Sequence, residues 1–305
     1  MATDPFRQSP PAALDEAFVE REVRRFLAED AGPGDVTSER VVPKAARARA
    51  SMVARQPCVV AGLPVARAAF RAADPAVAVS LCASDGDAVP AGAVLAAVEG
   101  PAAGILGAER VALNLVQRLS GIATLTRRYV EAVAGTGASV SDTRKTTPGL
   151  RAFEKYAVRV GGGRNHRLGL FDAILIKDNH RAIAGGAEAA IAAARRGRRR
   201  MPIQIEVDSL SDLRRALDLG VDAVLLDNMT PHDVAEAVAL ARAHPHGRAC
   251  WIEASGGITL ATVRAYAEAG VDTVSLGAIT HSAPAVDIAL DFEAALSRES
   301  DHDEP

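Results

Sequence analysis

The chain has 305 residues, 49% of them hydrophobic and 24% charged, with a formal net charge of −3. These totals predict a globular protein of about two domains. With only eleven Phe, Tyr and Trp they exclude a nucleic-acid face built on stacking platforms, and no run reaches the ~20 apolar residues of a membrane span.

Residues 1–13 are proline-rich without an apolar signal core, and are expected to form a disordered tail. Residues 14–123 are expected to form a smaller α+β domain ending in a linking helix. Asp35, Thr37 and Ser38 are capping and turn residues there. LPVARAAFRAA (63–73) has helical spacing. DGDAVPAGAVLAAVEG (85–100) resembles the hairpin of lipoyl and biotinyl carriers. It lacks the lysine those carriers need at the turn, so it is read as a structural hairpin. Over 108–135, Val111, Leu115, Leu119, Ile122, Leu125, Tyr129 and Val133 recur at helical spacing, with Gly121 as the point of a bend. Glu109, Arg110, Asn114 and Arg118 punctuate that helix, which suits an interface.

Residues 124–283 change texture. Short runs rich in Ile, Val and Leu alternate with alanine-rich helical segments: ASVSD (138–142), AILIK (173–177), IQIEV (203–207), AVLLD (223–227), CWIEA (250–254) and TVSLG (273–277). Continuous apolar strands separated by helices predict a parallel sheet covered on both faces. From Lys177 to Gly277 the strand ends advance by 29, 21, 26 and 24 residues, the spacing of β/α units. A barrel or partial barrel follows. An open doubly wound sheet is the alternative, although no GxGxxG follows the first strand. Arg195, Arg196 and Arg198 to Arg200 are read as a solvated helix end before the next strand. Residues 284–297 are expected to form a C-terminal helix packing back, and 298–305 a disordered tail. Cys58, Cys82 and Cys250 are too few and too scattered for a disulfide framework or a metal knuckle, which suits a reducing cytoplasm.

Four lysines stand against thirty-one arginines, and three of the four, Lys145, Lys155 and Lys177, fall between Asp142 and His180. That stretch holds eight Lys/Arg and four Asp/Glu, a net +4. Cations concentrated among glycines suit a pocket for a small, multiply anionic ligand. The apolar runs end in Asp142, Lys177, Glu206, Asp227, Glu253 and Gly277, and the carboxyl ends of parallel strands form the floor of α/β active sites. Arg144, Lys145, His166, Arg167 and Lys177 supply cationic or polar donors. Glu206 and Asp227 suit a divalent metal or sugar hydroxyls. The glycine turns SGGI (255–258) and LGA (276–278) suit phosphate. Lys155 is read as a solvated helix charge. Together these residues fit a sugar phosphate bearing pyrophosphate plus a second anionic substrate, with catalysis by positioning and electrostatics.

The blocks DTRKTTPGLRAFEKYAVRVGGGRNHRLGLFDAILIKDNH, IEVDSL (205–210), LLDNM (225–229), EASGGI (253–258) and SLGAITHSAP (275–284) resemble the quinolinate phosphoribosyltransferase family. EDAGPGDVTSE (29–39) and ERVALNLVQRLSGIA (109–123) match its N-terminal signatures. The resemblance covers about residues 16 to 297. It implies a sandwich or hammerhead-like α+β domain on an incomplete β/α barrel. It also implies transfer of phosphoribosyl from phosphoribosyl pyrophosphate to quinolinate with decarboxylation, a requirement for Mg²⁺, and a homodimer or higher homo-oligomer. Carried onto this chain, it implies catalytic roles for Lys145, Lys177, Glu206 and Asp227. Arg144, His166 and Arg167 would join them in binding substrate, and Arg110 would enter from the neighbouring subunit. Glu206 and Asp227 would face the metal, directly or through water or substrate. Ser255, Gly256, Gly257, Gly277, Ala278 and His281 would hold phosphate. Three rivals stand beside it: a related phosphoribosyltransferase with another acceptor, a Schiff-base aldolase through Lys177, and a non-catalytic module that binds phosphoribosyl metabolites.

Overall fold

The computed structural model describes residues 14–197 and 201–293. It divides into two units: one holds the chain up to Thr124 and again from Pro284, and the other runs from Leu125 to Ala283.

The first unit opens with α1 (Glu16–Ala31), capped by the Asp15 carboxylate, which accepts from the Phe18 amide at 2.7 Å. Before α2 (Ser38–Val41) the Asp35 carboxylate accepts from the amides of Thr37 and Ser38, both at 3.0 Å. These residues therefore form the expected turn. β1 (Arg47–Ala54) and β2 (Cys58–Val59) lead to α3 (Leu63–Ala73), which has the bounds its spacing predicts. Asp85 closes the start of α3 with both oxygens, on Gly62 N–H at 2.7 Å and Leu63 N–H at 3.0 Å. β3 (Ala78–Leu81), β4 (Ala88–Val89) and β5 (Val94–Pro101) follow, then α4 (Ala102–Ala132). The hairpin expected over 85–100 does not form as one. β4 pairs with β2, while β5 lies between β1 and β3 in the main antiparallel sheet. The short Pro90 to Ala93 turn lets the two strands serve different sheets.

α4 runs unbroken through Gly121. The glycine is there for a close approach rather than a bend, since a Cβ on it would collide with the Pro284 carbonyl.

The second unit alternates strand and helix: β6 (Ser139–Ser141), α5 (Arg151–Val160), β7 (Ile174–Ile176), α6 (Asp178–Ala184), α7 (Ala187–Arg195), β8 (Ile203–Val207), α8 (Leu210–Asp218), β9 (Ala223–Asp227), α9 (Pro231–Ala243), β10 (Trp251–Ser255), α10 (Val263–Glu268), β11 (Thr273–Ser275) and α11 (Ala278–His281). The strands are all parallel, in the order β6-β11-β10-β9-β8-β7. Sequence neighbours pair in turn, and the last strand then pairs with the first. That is the cyclic order of a barrel, left open between β6 and β7, and it overturns the doubly wound alternative. A single bridge from Ser141 to Arg164 extends the β6 edge. α7 ends at Arg195, with its guanidinium on the Leu219 and Gly220 carbonyls. Arg198 to Arg200 lie outside the described residues.

The C-terminal helix expected over 284–297 is corrected. Ile288–Phe292 is a strand, β12, paired antiparallel with β1, so the chain returns to complete the first unit's sheet. Its alternation of buried Ile288 and Leu290 with more exposed neighbours is the strand period. Residues 294–297 lie outside the described residues, as do the two tails.

Gly121→Ala should destabilise the protein by about 1–3 kcal/mol, because a methyl there must displace backbone. Gly107→Ala on the same helix meets open space, and should be neutral or stabilising by up to ~1 kcal/mol. Urea unfolding of the two variants checks the contrast.

Candidate active site

Side chains alternate across a strand, so Gln204 and Glu206 on β8 share one face, as do Leu225 and Asp227 on β9 and Glu253 and Ser255 on β10. The register sets Gln204 beside Ala223, Glu206 and Glu253 beside Leu225, and Asp227 beside Ser255. Two tiers result. Gln204 and Glu253 lie deep and buried, at 0% and 1% exposure. Glu206, Asp227 and Ser255 lie at the carboxyl ends, half-buried.

The upper tier gathers opposite charges. Lys177, directly after β7, forms an ion pair with Glu206. The Asp227 carboxyl is pushed up by burial and by the nearby Glu206 carboxylate, while Lys177 and Lys145 pull it down. Two carboxylates and two ammonium groups thus converge on strand ends. Asn228 follows Asp227 with a left-handed backbone (φ 55°) and donates from Nδ2 to Asp227 at 2.7 Å. Its amide also donates to the Ser255 carbonyl at 2.9 Å. Gly256 packs against that turn with φ 98°, where a Cβ would stand 2.7 Å from the Asn228 nitrogen. Gly257 is also left-handed (φ 60°) and exposed. Opposite, a Cβ on Gly277 would stand 2.9 Å from Lys145 Cδ and 3.0 Å from His281 Nε2. Lys145 and His281 therefore flank the Gly277–Ala278 turn, and Thr280 Oγ1 ties it down by donating to the Lys145 carbonyl at 2.7 Å.

The 142–173 segment brings two guanidiniums together. Arg167 is buried, and burial together with the nearby Arg144 charge lowers its pKa. Arg144 Nε is itself buried with no hydrogen-bond partner in the protein. Two neighbouring cations, one of them buried, favour an anion between them, and an arginine fork matches a carboxylate two-pronged. Arg151 shapes the loop, donating to Thr146 Oγ1 at 2.8 Å and to the Leu168 carbonyl at 3.2 Å.

One sequence reading changes. Lys155 is not solvated: it is 3% exposed and ion-paired with Asp142, which is wholly buried. Burial pushes the Asp142 carboxyl up and the Lys155 amine down, and each charge opposes the shift of the other. Asp142 also accepts from the His166 amide at 2.8 Å and Asn165 Nδ2 at 2.6 Å. Each ring nitrogen of His166 has a partner within the protein. Nδ1 accepts from the Arg167 amide at 2.8 Å, and Nε2 meets Gln204 Oε1 at 3.1 Å and Glu253 at 3.4 Å. Asp142, Asn165, Lys155, Gln204 and Glu253 thus underlie the site, where the sequence marked Asp142 and Glu253 only as strand-end residues. The signal for Lys155 was available: it lies within the one stretch where this arginine-rich chain uses lysine. Arg110 stands exposed on α4 in the first unit.

A six-stranded α/β barrel with a gap, lysines and carboxylates gathered at its strand ends, and glycine turns after its last strands defines an enzyme acting on small multiply anionic substrates. The chain belongs to the quinolinate phosphoribosyl transferase family: residues 35–120 match its N-terminal domain and residues 122–291 its C-terminal domain. It is 43% identical over 279 residues to the probable nicotinate-nucleotide pyrophosphorylase (carboxylating) of Bacillus subtilis, covering 91% of this chain and 94% of that one. It is 44% identical over 284 residues to the corresponding protein of Mycobacterium leprae, covering 88% and 95%. The crystal structure of NadC from Streptococcus pyogenes superposes with a TM-score of 0.86 at 37% identity, covering 93% of this chain and all of that one.

Lys155→Met should cost about 3–5 kcal/mol, since it strands a buried carboxylate. Chemical denaturation reads the loss, and a cost below 1 kcal/mol would show that the pair does not hold the fold.

Proposed function

We propose that this enzyme transfers the phosphoribosyl group of phosphoribosyl pyrophosphate to quinolinate with loss of CO2, giving nicotinate mononucleotide and pyrophosphate, a step of NAD synthesis. The observation that carries the site assignment is the neighbouring pair of buried Arg167 and half-buried Arg144 beside an upper tier of Lys145, Lys177, Glu206 and Asp227. A diacid answers the two guanidiniums. Each charge-assisted hydrogen bond contributes roughly 1.5–3 kcal/mol.

The residues divide the work. Arg144 and Arg167 hold the quinolinate carboxylates and orient the ring nitrogen toward the anomeric carbon. Lys145 and Lys177 stabilise the negative charge that grows on departing pyrophosphate. Glu206 and Asp227 face the ribose, where positive charge develops as the bond breaks. Ser255, Gly256, Gly257, Gly277 and Ala278 offer backbone N–H groups to the ribose phosphate, with His281 at the rim. Once ribosylated, the pyridine nitrogen is cationic and stabilises the electron pair left on the adjacent ring carbon as CO2 departs; that carbon then takes a proton from solvent, so no separate base is needed. Glu206 and Asp227 are hard oxygen donors held close enough for one to raise the pKa of the other, which fits Mg²⁺. Bound there, the ion would neutralise pyrophosphate charge.

Lys177 is 45% exposed and ion-paired, and so lacks the desolvated setting an imine-forming lysine uses. Arg110 is assigned to the neighbouring subunit's site in a homodimer, on its exposure and its place on a long helix. The buried Cys250 thiol is pushed up to about 12 by burial, and none of the three cysteines forms a disulfide. This suits the reducing cytoplasm. No helix among the described residues is long and apolar enough to cross a membrane.

With phosphoribosyl pyrophosphate and Mg²⁺, the purified protein should form nicotinate mononucleotide and CO2 from quinolinate and no product from nicotinate. Product from nicotinate alone would overturn the diacid assignment, and chelating the metal should abolish turnover. Arg110→Ala and Lys177→Ala should each lose at least about a hundredfold in kcat/KM, a cost of ~2.7 kcal/mol. Mixing the two inactive proteins should restore part of the activity, because one site in a mixed dimer is intact. Mixing without recovery would refute a shared site.

A further inference from the structure

Glu253 on β10 is 1% exposed. Burial pushes its carboxyl up, while the His166 charge, Ser275 and Gln204 pull it down. Toward an amide N–H, a carboxyl oxygen can only accept. Its Oε2 receives Gln204 Nε2 at 2.8 Å, which turns Gln204 so that Oε1 faces His166 Nε2 at 3.1 Å. An amide oxygen also only accepts, so His166 Nε2 must carry the ring proton. Nδ1 is then a bare lone pair, and it accepts the Arg167 amide at 2.8 Å. Each orientation follows from the one before it. Burial disfavours an imidazolium and Glu253 favours it, with the net direction upward. A second proton could go only to Nδ1, where it would face the Arg167 N–H, donor against donor. The contact therefore holds the neutral ring.

The backbone of His166 is fixed from the other side. Its N–H donates to Asp142 at 2.8 Å, and its carbonyl accepts from Lys155 Nζ at 3.0 Å. Ring and backbone are thus both held, and Arg167 is the next residue along the chain. Apolar side chains could fill this part of the barrel without the desolvation cost of a buried carboxylate. A directional chain of donors specifies one ring state, which they could not.

We propose that Glu253 and Gln204 are positioning residues that select the Nε2–H tautomer of His166, and that His166 acts through Nδ1 to preset Arg167 for a substrate carboxylate. The proposal rests on the quinolinate site described above. On this view His166 itself does not touch the substrate.

The test compares two replacements. Asn at 166 puts an amide oxygen near the position of Nδ1 and can still accept from Arg167. Gln at 166 reaches toward Nε2 and leaves that amide without an acceptor. His166→Gln and Glu253→Gln should raise the KM for quinolinate about tenfold, corresponding to ~1.4 kcal/mol, with the KM for phosphoribosyl pyrophosphate unchanged. His166→Asn should stay closer to wild type. The reverse order, or equal loss in both His166 variants, would overturn the positioning role, since a ligand contact through Nε2 favours Gln.

A second readout does not need activity. Nitrogen-15 NMR of histidine-labelled protein, with the His166 signal assigned by its loss in His166→Asn, should show the Nε2–H tautomer in the wild type. In Glu253→Gln it should show a mixture. A wild-type Nδ1–H or doubly protonated ring would overturn the proposal. If the wild type turned over no quinolinate, the function reading would fail while the tautomer measurement still decided the relay.

Discussion

Beneath the strand ends lies a charge that the fold has taken completely out of water. Asp142 follows β6 directly and is wholly buried. An isolated carboxylate there would cost several kcal/mol even after relaxation. Three partners make it tolerable: the Lys155 ammonium, the Lys155-bound Asn165 amide and the His166 backbone N–H, with Lys155 itself held by the His166 carbonyl. Those partners come from α5 and from the segment that crosses the open side of the barrel. One buried carboxylate therefore ties the first strand, the first helix and the segment bearing Arg167 into a single arrangement. Where the barrel lacks ladder hydrogen bonds between β6 and β7, this network supplies the fixed geometry.

The site built over it separates its charges by role. The guanidiniums come from the 142–173 segment, the carboxylates from the carboxyl ends of β8 and β9, and the two lysines stand beside them. A reaction that moves negative charge onto pyrophosphate and leaves positive charge on a sugar needs both signs at fixed positions and no covalent nucleophile. Strand ends provide that fixity, since alternate residues of paired strands cannot shift without breaking the register. The deeper tier of Gln204 and Glu253 extends the same logic downward, orienting groups that in turn orient the surface ones.

Much of this was legible in the chain. The six apolar runs coincide with the six parallel strands to within about two residues, because a strand buried on both faces needs an uninterrupted apolar run. The upper-tier residues were legible for the same reason: a charge that ends such a run has nowhere to go but the strand's end. Lys155 was misread because α5 is buried over a wider arc than an amphipathic stripe, and a helix charge looks alike whether it faces water or a buried partner thirteen residues away. His166 was read as a ligand residue, and a ring with two nitrogens fits a ligand and a hydrogen-bond relay equally well in one dimension. The strand at 288–292 was taken for helix because its pairing partner, β1, lies more than two hundred residues earlier. Local period over five residues does not outweigh the expectation that a terminal segment after a barrel is helical. The segment at 85–100 carried real strand signals, but which sheet each strand joins is a long-range choice.

A crystal structure with quinolinate bound tests the central claim most directly. The account predicts the two carboxylates on the guanidiniums of Arg144 and Arg167, the ring nitrogen turned toward the tier of Glu206 and Asp227, and His166 still accepting from the Arg167 amide. A carboxylate seated on His166, or a ring bound away from the two arginines, would contradict it.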